Sequence, residues 1–165
     1  MSQRTRILIA LLAIVVMVGG VLGGDLIRRS QQAAARPDLP PGAIPIYMDG
    51  SLVAGFVPDD LNQLEEVSFV DAEEGKTQQG WLLRDVLMLT LDGVALDPGM
   101  TIIVSSSSRG KSASMVWAEV NDVENMVMFD VSGRGTLKLV SRGLERLDVR
   151  DEWVQDVDRI EIVSS

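Results

Sequence analysis

The chain contains neither cysteine nor histidine in its 165 residues. Without thiols it has no disulfide, no iron–sulfur cluster, no thiolate nucleophile and no covalently attached haem. Without imidazole it also lacks the ligands of most zinc sites and the commonest general base. Only carboxylate, serine, lysine or tyrosine chemistry is left, so we assign no catalytic residue. We expect no metal and no cofactor, and enzymatic activity is the less favoured interpretation.

Basic residues are scarce in most of the chain. Residues 37–165 contain ten bases and 23 acids, a net charge of −13, whereas residues 1–36 contain five arginines and one acid, a net charge of +4. A surface that acidic repels phosphate backbones, which are bound by lysine and arginine. We therefore expect no nucleic-acid partner, and we assign any lipid contact to the N-terminus.

One apolar stretch near the N-terminus is long enough to cross a membrane. A basic segment at 1–6 is followed by the uncharged residues 7–24, which as a helix would span about 27 Å against a hydrocarbon core of about 30 Å. We predict an uncleaved transmembrane anchor. The alternative is a signal peptide, for which 21–23 is a poor cleavage site and the alanines at 33–35 lie too far downstream.

Residues 25–43 are predicted to be a linker, and 44–165 a folded domain. The stretch from Arg36 to Pro45 contains four prolines, which prevent a helix but favour a stiff, extended spacer. Positive charges on the two sides of the anchor are nearly balanced. Because short N-terminal anchors with a large C-terminal domain usually export that domain, we predict a single-pass membrane protein with its domain outside the cytoplasm.

The domain pattern predicts an early helix among many short strands. Asp49-Gly50 favours a type I′ hairpin turn, and apolar residues at helical spacing indicate the helix. Up to residue 91 the expected elements are a hairpin at 46–54, a helical turn at 58–64, a strand at 67–70, a polar loop at 73–80 and the helix at 81–91. Later strands are expected at 101–105, 113–117, 127–131, 136–140 and 159–163, with a short helical turn at 120–123. This order is typical of an α+β fold.

Three sequence stretches, at 80–87, 135–140 and 153–163, together resemble one known domain, the molybdopterin-binding domain of the sulfite oxidase family. GWLLRDVL at 80–87 resembles that family's G-V-x-L-x-D-L-L helix entry, and GTLKLV at 135–140 is similar to its G-P-L-R-L-V strand. WVQDVDRIEIV at 153–163 resembles its W-V-K-x-I-x-x-I-E-V terminus. The likeness covers about residues 67–163. It implies an α+β, sulfite-oxidase-like molybdopterin-binding domain fold with mixed β-sheets, here preceded by one N-terminal transmembrane helix.

The chain departs from this family where the family binds molybdenum. A single cysteine before the G-V-x-L element ligates the metal in that family, while histidine and arginine hold the pterin phosphate. The corresponding stretch here, VSFVDAEE at 67–74, has no thiol, and molybdenum in such a site needs a soft thiolate donor. The resemblance therefore implies the fold without the chemistry.

These observations favour a membrane-anchored binding or assembly module that has lost metal binding. Its expected partner is another membrane or extracytoplasmic protein, and its net charge favours a basic one. The alternative is a molybdopterin-type oxidoreductase, holding molybdopterin without cysteine ligation, or an anionic-ligand-binding domain with a non-cysteine site.

The candidate ligand-facing element is the serine-rich segment at 105–112. Its backbone amides, hydroxyls and two cations are groups that can cradle an anion. It lacks the spacing of a phosphate-binding P-loop, and an ordinary hairpin loop with Arg-Gly at its turn explains it as well. The candidate ligand-binding residues are Ser106, Ser107, Ser108, Arg109 and Lys111.

Other groups of chemically suggestive residues have structural explanations. The acids at 59–66 suit the first turn of a helix better than a calcium site. The acids at 151–158 are expected to form a solvated acidic face, because nothing in the sequence indicates a cleft there. Trp81, Trp117 and Trp153 are expected to pack in the core.

Overall fold

The described strands form two five-stranded sheets. The computed structural model describes residues 37–131, 133 and 135–165. The ten strands within these residues are β1 (Ile44–Met48), β2 (Ser51–Phe56), β3 (Val67–Val70), β4 (Thr77–Leu82), β5 (Thr101–Ser106), β6 (Lys111–Val116), β7 (Met128–Val131), β8 (Leu137–Val140), β9 (Val154–Gln155) and β10 (Arg159–Val163). The helices are α1 (Leu83–Thr90) and α2 (Trp117–Asn121), with 3₁₀ turns at Pro58–Gln63, Val123–Asn125 and Glu145–Leu147.

The two sheets differ in strand direction. The first has the order β2-β1-β10-β5-β6 and is mixed, because β1 pairs in parallel with β10 while the other pairs are antiparallel. The second has the order β3-β4-β7-β8-β9 and is antiparallel throughout. The expected α+β class with a mixed sheet is therefore confirmed.

The largest apolar cluster draws on both sheets and on α1. Ile46 and Ile160 come from the first sheet, Phe129 and Leu139 from the second, and Leu87 from α1. All five are fully buried. Side chains alternate between the two faces of a strand, so the neighbouring residues in β7 and β8 point to the opposite face of the second sheet. There a smaller cluster contains Met128, Val140 and Trp153.

Several local predictions are confirmed. Asp49 and Gly50 connect β1 to β2 with φ angles of 48° and 76°, as a type I′ turn requires. The predicted helical turn near residue 58 is a 3₁₀ turn at Pro58–Gln63. The carboxylate of Asp60, within the turn, accepts from the backbone N–H of Val57, which precedes it, at 2.9 Å. The strand predicted at 67–70 is β3.

The polar loop predicted at 73–80 is wrong in its second half. Thr77–Leu82 is a strand, and its polar residue Gln78 is buried because Asp71 and Lys138 satisfy its side chain. The helix consequently begins at Leu83 rather than at residue 81. Trp117 begins α2 instead of ending a strand, and the two-residue strand β9 was not predicted.

Residues 37–165 form one compact unit. The predicted basic segment at 1–6, the anchor at 7–24 and most of the linker at 25–43 lie outside the described residues. Within the part of the chain that the structure describes, no helix is long and apolar enough to cross a bilayer.

Candidate functional site

A row of polar side chains crosses the outer face of the second sheet. In the strand register Asp130 lies opposite Lys138, and Lys138 lies opposite Gln155. The Lys138 Nζ donates to Gln78 Oε1 at 2.7 Å and lies 2.9 Å from Asp130 Oδ2. It also lies 4.8 Å from the centroid of the Trp153 ring, in a cation–π contact. Lys138 is therefore a cation fixed from several sides.

Two adjoining pockets lie over this face. The first, of about 290 Å³, is lined by Glu74, Lys76, Gln78, Gly133, Lys138, Arg150, Trp153 and Gln155. The second, of about 240 Å³, is lined by Arg109, Lys111, Arg150, Asp151, Trp153 and Gln155. Their shared residues are Arg150, Trp153 and Gln155. We call the two pockets together the basic groove.

The basic groove gathers positive charge in an otherwise acidic domain. Five of the ten bases in residues 37–165 line it, namely Lys76, Arg109, Lys111, Lys138 and Arg150. Only two carboxylates, those of Glu74 and Asp151, are among the lining residues described. Arg109 and Lys138 are paired with the carboxylates of Asp156 and Asp130. Among the described ion pairs, Lys76 and Arg150 share the single carboxylate of Glu74 and Lys111 has none, so these three bases supply the surplus that attracts ions of the opposite sign. The arrangement favours an anionic ligand.

Glu74 lies between two of these cations. Its Oε2 is 2.6 Å from Lys76 Nζ, and its Oε1 is 2.9 Å from Arg150 Nη1. Hydrogen bonds from Lys76 and then from Arg150 hold the pKa of the Glu74 carboxyl below its usual range. A general acid at neutral pH needs a raised pKa, so Glu74 is unsuited to that role.

A buried carboxylate shapes the turn that carries Glu74 and Lys76. Asp71 accepts from the Glu74 N–H at 2.6 Å, from the Lys76 N–H at 3.1 Å and from Gln78 Nε2 at 2.9 Å. Aspartate often organises a turn by binding backbone N–H groups ahead of it. Asp71 thereby positions one wall of the basic groove.

The two cations predicted in the serine-rich segment both line the basic groove. Arg109 Nε donates to Asp156 Oδ2 at 2.6 Å, and the other oxygen of Asp156 accepts from Thr136 Oγ1 at 2.7 Å. Lys111 Nζ donates to the backbone carbonyl of Asp151. Among the described residues Lys111 forms no ion pair.

The three predicted serines do not line the basic groove. Ser106 is buried, with its Oγ 3.3 Å from Ser108 Oγ. Ser107 donates from its backbone N–H to Asp158 Oδ2 at 2.8 Å. Asp156 and Asp158, expected on a solvated acidic face, thus hold the β5–β6 hairpin through Arg109 and Ser107.

Sequence reasoning missed Lys76, Lys138 and Arg150. Lys138 alone carried a signal, since it takes the position of an arginine in the G-P-L-R-L-V pattern. Lys76 and Arg150 are single bases in acidic loops, 74 positions apart in sequence. Only the packing of the β3–β4 turn against the segment before β9 brings them to one carboxylate.

The sequence matches no known family model and no curated protein.

The groups near the expected molybdenum position do not fit that metal. The stretch 67–74 offers only hydroxyl and carboxylate oxygens, and its buried carboxylate, Asp71, is already bound to three N–H groups. These hard oxygen donors do not replace a soft thiolate. No step through molybdenum follows from this site.

Proposed function

We propose that this protein is a membrane-anchored, extracytoplasmic binding or assembly module of the sulfite-oxidase-like molybdopterin-domain type, without metal binding. The basic groove is the observation that carries the proposal. It concentrates half of the bases of an acidic domain around one buried tryptophan. Its occupant is an acidic segment of another membrane or extracytoplasmic protein.

The proposed anchor supports a role in binding. A tether confines the domain near other membrane proteins and raises its effective concentration there, so a weak interface is still occupied. Electrostatic complementarity then speeds the encounter and selects the segment that enters the basic groove. The acidic remainder of the domain repels other acidic surfaces, which adds selectivity.

The chemistry of the groove favours binding over catalysis. The chain has no thiol and no imidazole, and the lowered pKa of Glu74 keeps that carboxyl ionised at neutral pH. Arg109 and Lys138 each face a carboxylate, those of Asp156 and Asp130. Such paired charges orient a ligand.

A small anion is the second candidate ligand. The first pocket, of about 290 Å³, is close to the lower end of small-molecule sites, which begin at about 300 Å³. A small dianion would find the same cations there. In this alternative the binding site is the same, but the negative charge comes from a free small anion instead of a protein segment.

Site-specific crosslinking in native membranes tests the proposal. A photo-crosslinking residue at Gln155, in the groove of the full chain, should yield an adduct with one partner protein. The same residue at the exposed Gln63, on the 3₁₀ turn after β2, serves as the position control. Introducing Lys111→Glu together with Arg150→Glu should abolish the Gln155 adduct, because the groove then repels an acidic segment.

Two results would reject the acidic-segment proposal. One is an adduct at Gln155 that survives the double charge reversal. The other is the absence of any adduct together with tight, stoichiometric binding of inorganic phosphate that Lys76→Ala and Arg150→Ala, in the first pocket, remove, which favours the small-anion candidate.

A further inference from the structure

We propose that Glu74 occupies the basic groove as a built-in carboxylate, and that a carboxylate of the incoming ligand displaces it. The inference rests on the proposed function, since it concerns how the same site is regulated. Each oxygen of Glu74 contacts a different cation, Lys76 at 2.6 Å and Arg150 at 2.9 Å. The chain thus places one of its own carboxylates where a foreign carboxylate would be held.

Glu74 can leave this position by rotating its side chain alone. The Glu74 backbone is fixed separately, because its N–H donates to the buried Asp71 at 2.6 Å. The turn therefore keeps its shape when the Glu74 carboxylate moves out. No strand pairing is broken, since the nearest strand begins at Thr77.

Exposure distinguishes the exchangeable ion pairs from the fixed one. The side chains of Lys76 and Arg150 are 65% and 54% exposed, and that of Glu74 is 33% exposed, so a ligand reaches all three. Lys138 and its partner Asp130 are only 18% and 12% exposed. Exposed ion pairs contribute little individually, so replacing one carboxylate by another between Lys76 and Arg150 is nearly balanced.

The second pocket supplies the extra binding that favours displacement. Lys111 binds a backbone carbonyl there, and in the described part of the chain it has no carboxylate partner. An acidic segment with two carboxylates can bind Lys76 and Arg150 with one of them and Lys111 with the other. Glu74 has a single carboxylate and cannot match this, which selects a ligand with at least two.

Peptide binding to the full chain, held in neutral-lipid nanodiscs, tests the inference. The probe is an end-capped peptide of four glutamates, with the corresponding peptide of four glutamines as the uncharged reference. Glu74→Gln should tighten binding of the glutamate peptide by about threefold to tenfold, because two exposed contacts no longer compete. Arg150→Ala should weaken it.

Glu73→Gln is the matched control. It removes the same charge at the neighbouring residue, whose carboxylate accepts only the Arg150 backbone N–H in the described structure, at 3.0 Å. Its effect should stay below about twofold if displacement, rather than the general field, governs binding. Glu74→Ala should reproduce the gain of Glu74→Gln, and unchanged thermal unfolding should accompany each variant.

The outcomes separate this inference from the proposed function. If the wild type binds the glutamate peptide, two results overturn displacement but not the proposed binding function. One is an equal gain in peptide affinity from Glu73→Gln and Glu74→Gln, and the other is no gain in affinity from either. No binding of the glutamate peptide to wild type or to Glu74→Gln overturns both. Inorganic phosphate that binds as tightly as the peptide overturns the acidic-segment ligand.

Discussion

Asp71 determines the geometry of one wall of the basic groove. Its carboxylate is buried and receives N–H groups from Glu74, Lys76 and Gln78. The hydrogen bond from the Glu74 backbone contributes most to lowering its pKa, against the opposing effect of burial. Because these donors stabilise the charged form, Asp71 links the shape of the turn to pH.

We predict that Asp71→Asn destabilises the domain at neutral pH and that the difference from wild type shrinks in acid. An asparagine amide places N–H donors against the backbone N–H groups that now bind a carboxylate, which leaves some of them unsatisfied. Urea unfolding of both proteins from neutral pH down to strongly acidic pH measures the effect.

The sign of this pH dependence follows from the pKa of Asp71. The folded-state value lies below the unfolded value of about 3.9, so the unfolded state binds more protons in between. The stabilisation is full above the unfolded value and is lost as pH falls through the folded one. A constant difference between wild type and Asp71→Asn at every pH would contradict this account.

At the scale of secondary structure, β4 and β7 approach each other closely at Gly80. A Cβ at Gly80 would lie 1.8 Å from the Phe129 carbonyl oxygen and 2.7 Å from its carbonyl carbon. These are backbone atoms of a paired strand, so they cannot rotate away. The observed pairing of β4 with β7 therefore leaves no room for a side chain at Gly80.

Gly80→Ala should lower the free energy of unfolding by about 3 kcal/mol or more, or prevent folding, since the strands must separate. Chemical denaturation is the measurement. Gly133→Ala is the matched control, because a Cβ there meets nothing within 4 Å, and it should change stability by less than about 0.5 kcal/mol. Equal losses from the two substitutions would show that the close approach is not the cause.

Local sequence patterns predicted some elements and missed others for physical reasons. The β1–β2 hairpin was predictable because Asp49-Gly50 supplies both positive φ angles locally. Strand β4 was not predictable, because a polar residue such as Gln78 is typical of a loop. Gln78 is buried in β4 because it forms hydrogen bonds with Asp71 and Lys138, which belong to other parts of the fold. Burial of a polar residue depends on partners that a local pattern does not contain.

The basic groove was predictable only in part, for the same reason. Arg109 and Lys111 lie within one short segment, so the sequence showed them together. Arg150 and Lys76 meet only through tertiary packing. The serines beside Arg109 were equally conspicuous in sequence. However, Ser106 contacts Ser108 within the hairpin, and Ser107 donates to Asp158, so neither faces the groove.

At the scale of the whole molecule, the net charge of the domain is opposite in sign to the local charge of the basic groove. The −13 of residues 37–165 favours a basic partner, whereas the local surplus of bases in the groove favours an acidic segment. Both preferences can act on one partner with regions of each sign. Long-range steering by the total charge is screened within about 10 Å at 0.1 M salt, while the contacts in the groove act at short range.

The absence of cysteine makes the proposed membrane topology directly testable. Any introduced thiol is unique in the chain, so a membrane-impermeant maleimide reports the side of the membrane on which that thiol lies. In intact cells we predict labelling of Ser165→Cys, at the exposed end of the domain, but not of Ser2→Cys, before the proposed anchor. Both variants should label after detergent is added, which controls for reactivity.

The anchor itself is tested in the same preparation. If the proposed anchor is right, the full chain should remain in membranes washed with alkaline carbonate, because the uncharged stretch at 7–24, which as a helix would span about 27 Å, would be held by the hydrocarbon core rather than by surface charge. Labelling of Ser2→Cys with protection of Ser165→Cys would reverse the orientation. A soluble chain whose mature N-terminus follows Gly23 would replace the anchor by a cleaved signal peptide, and would remove the tether on which a weak interface depends.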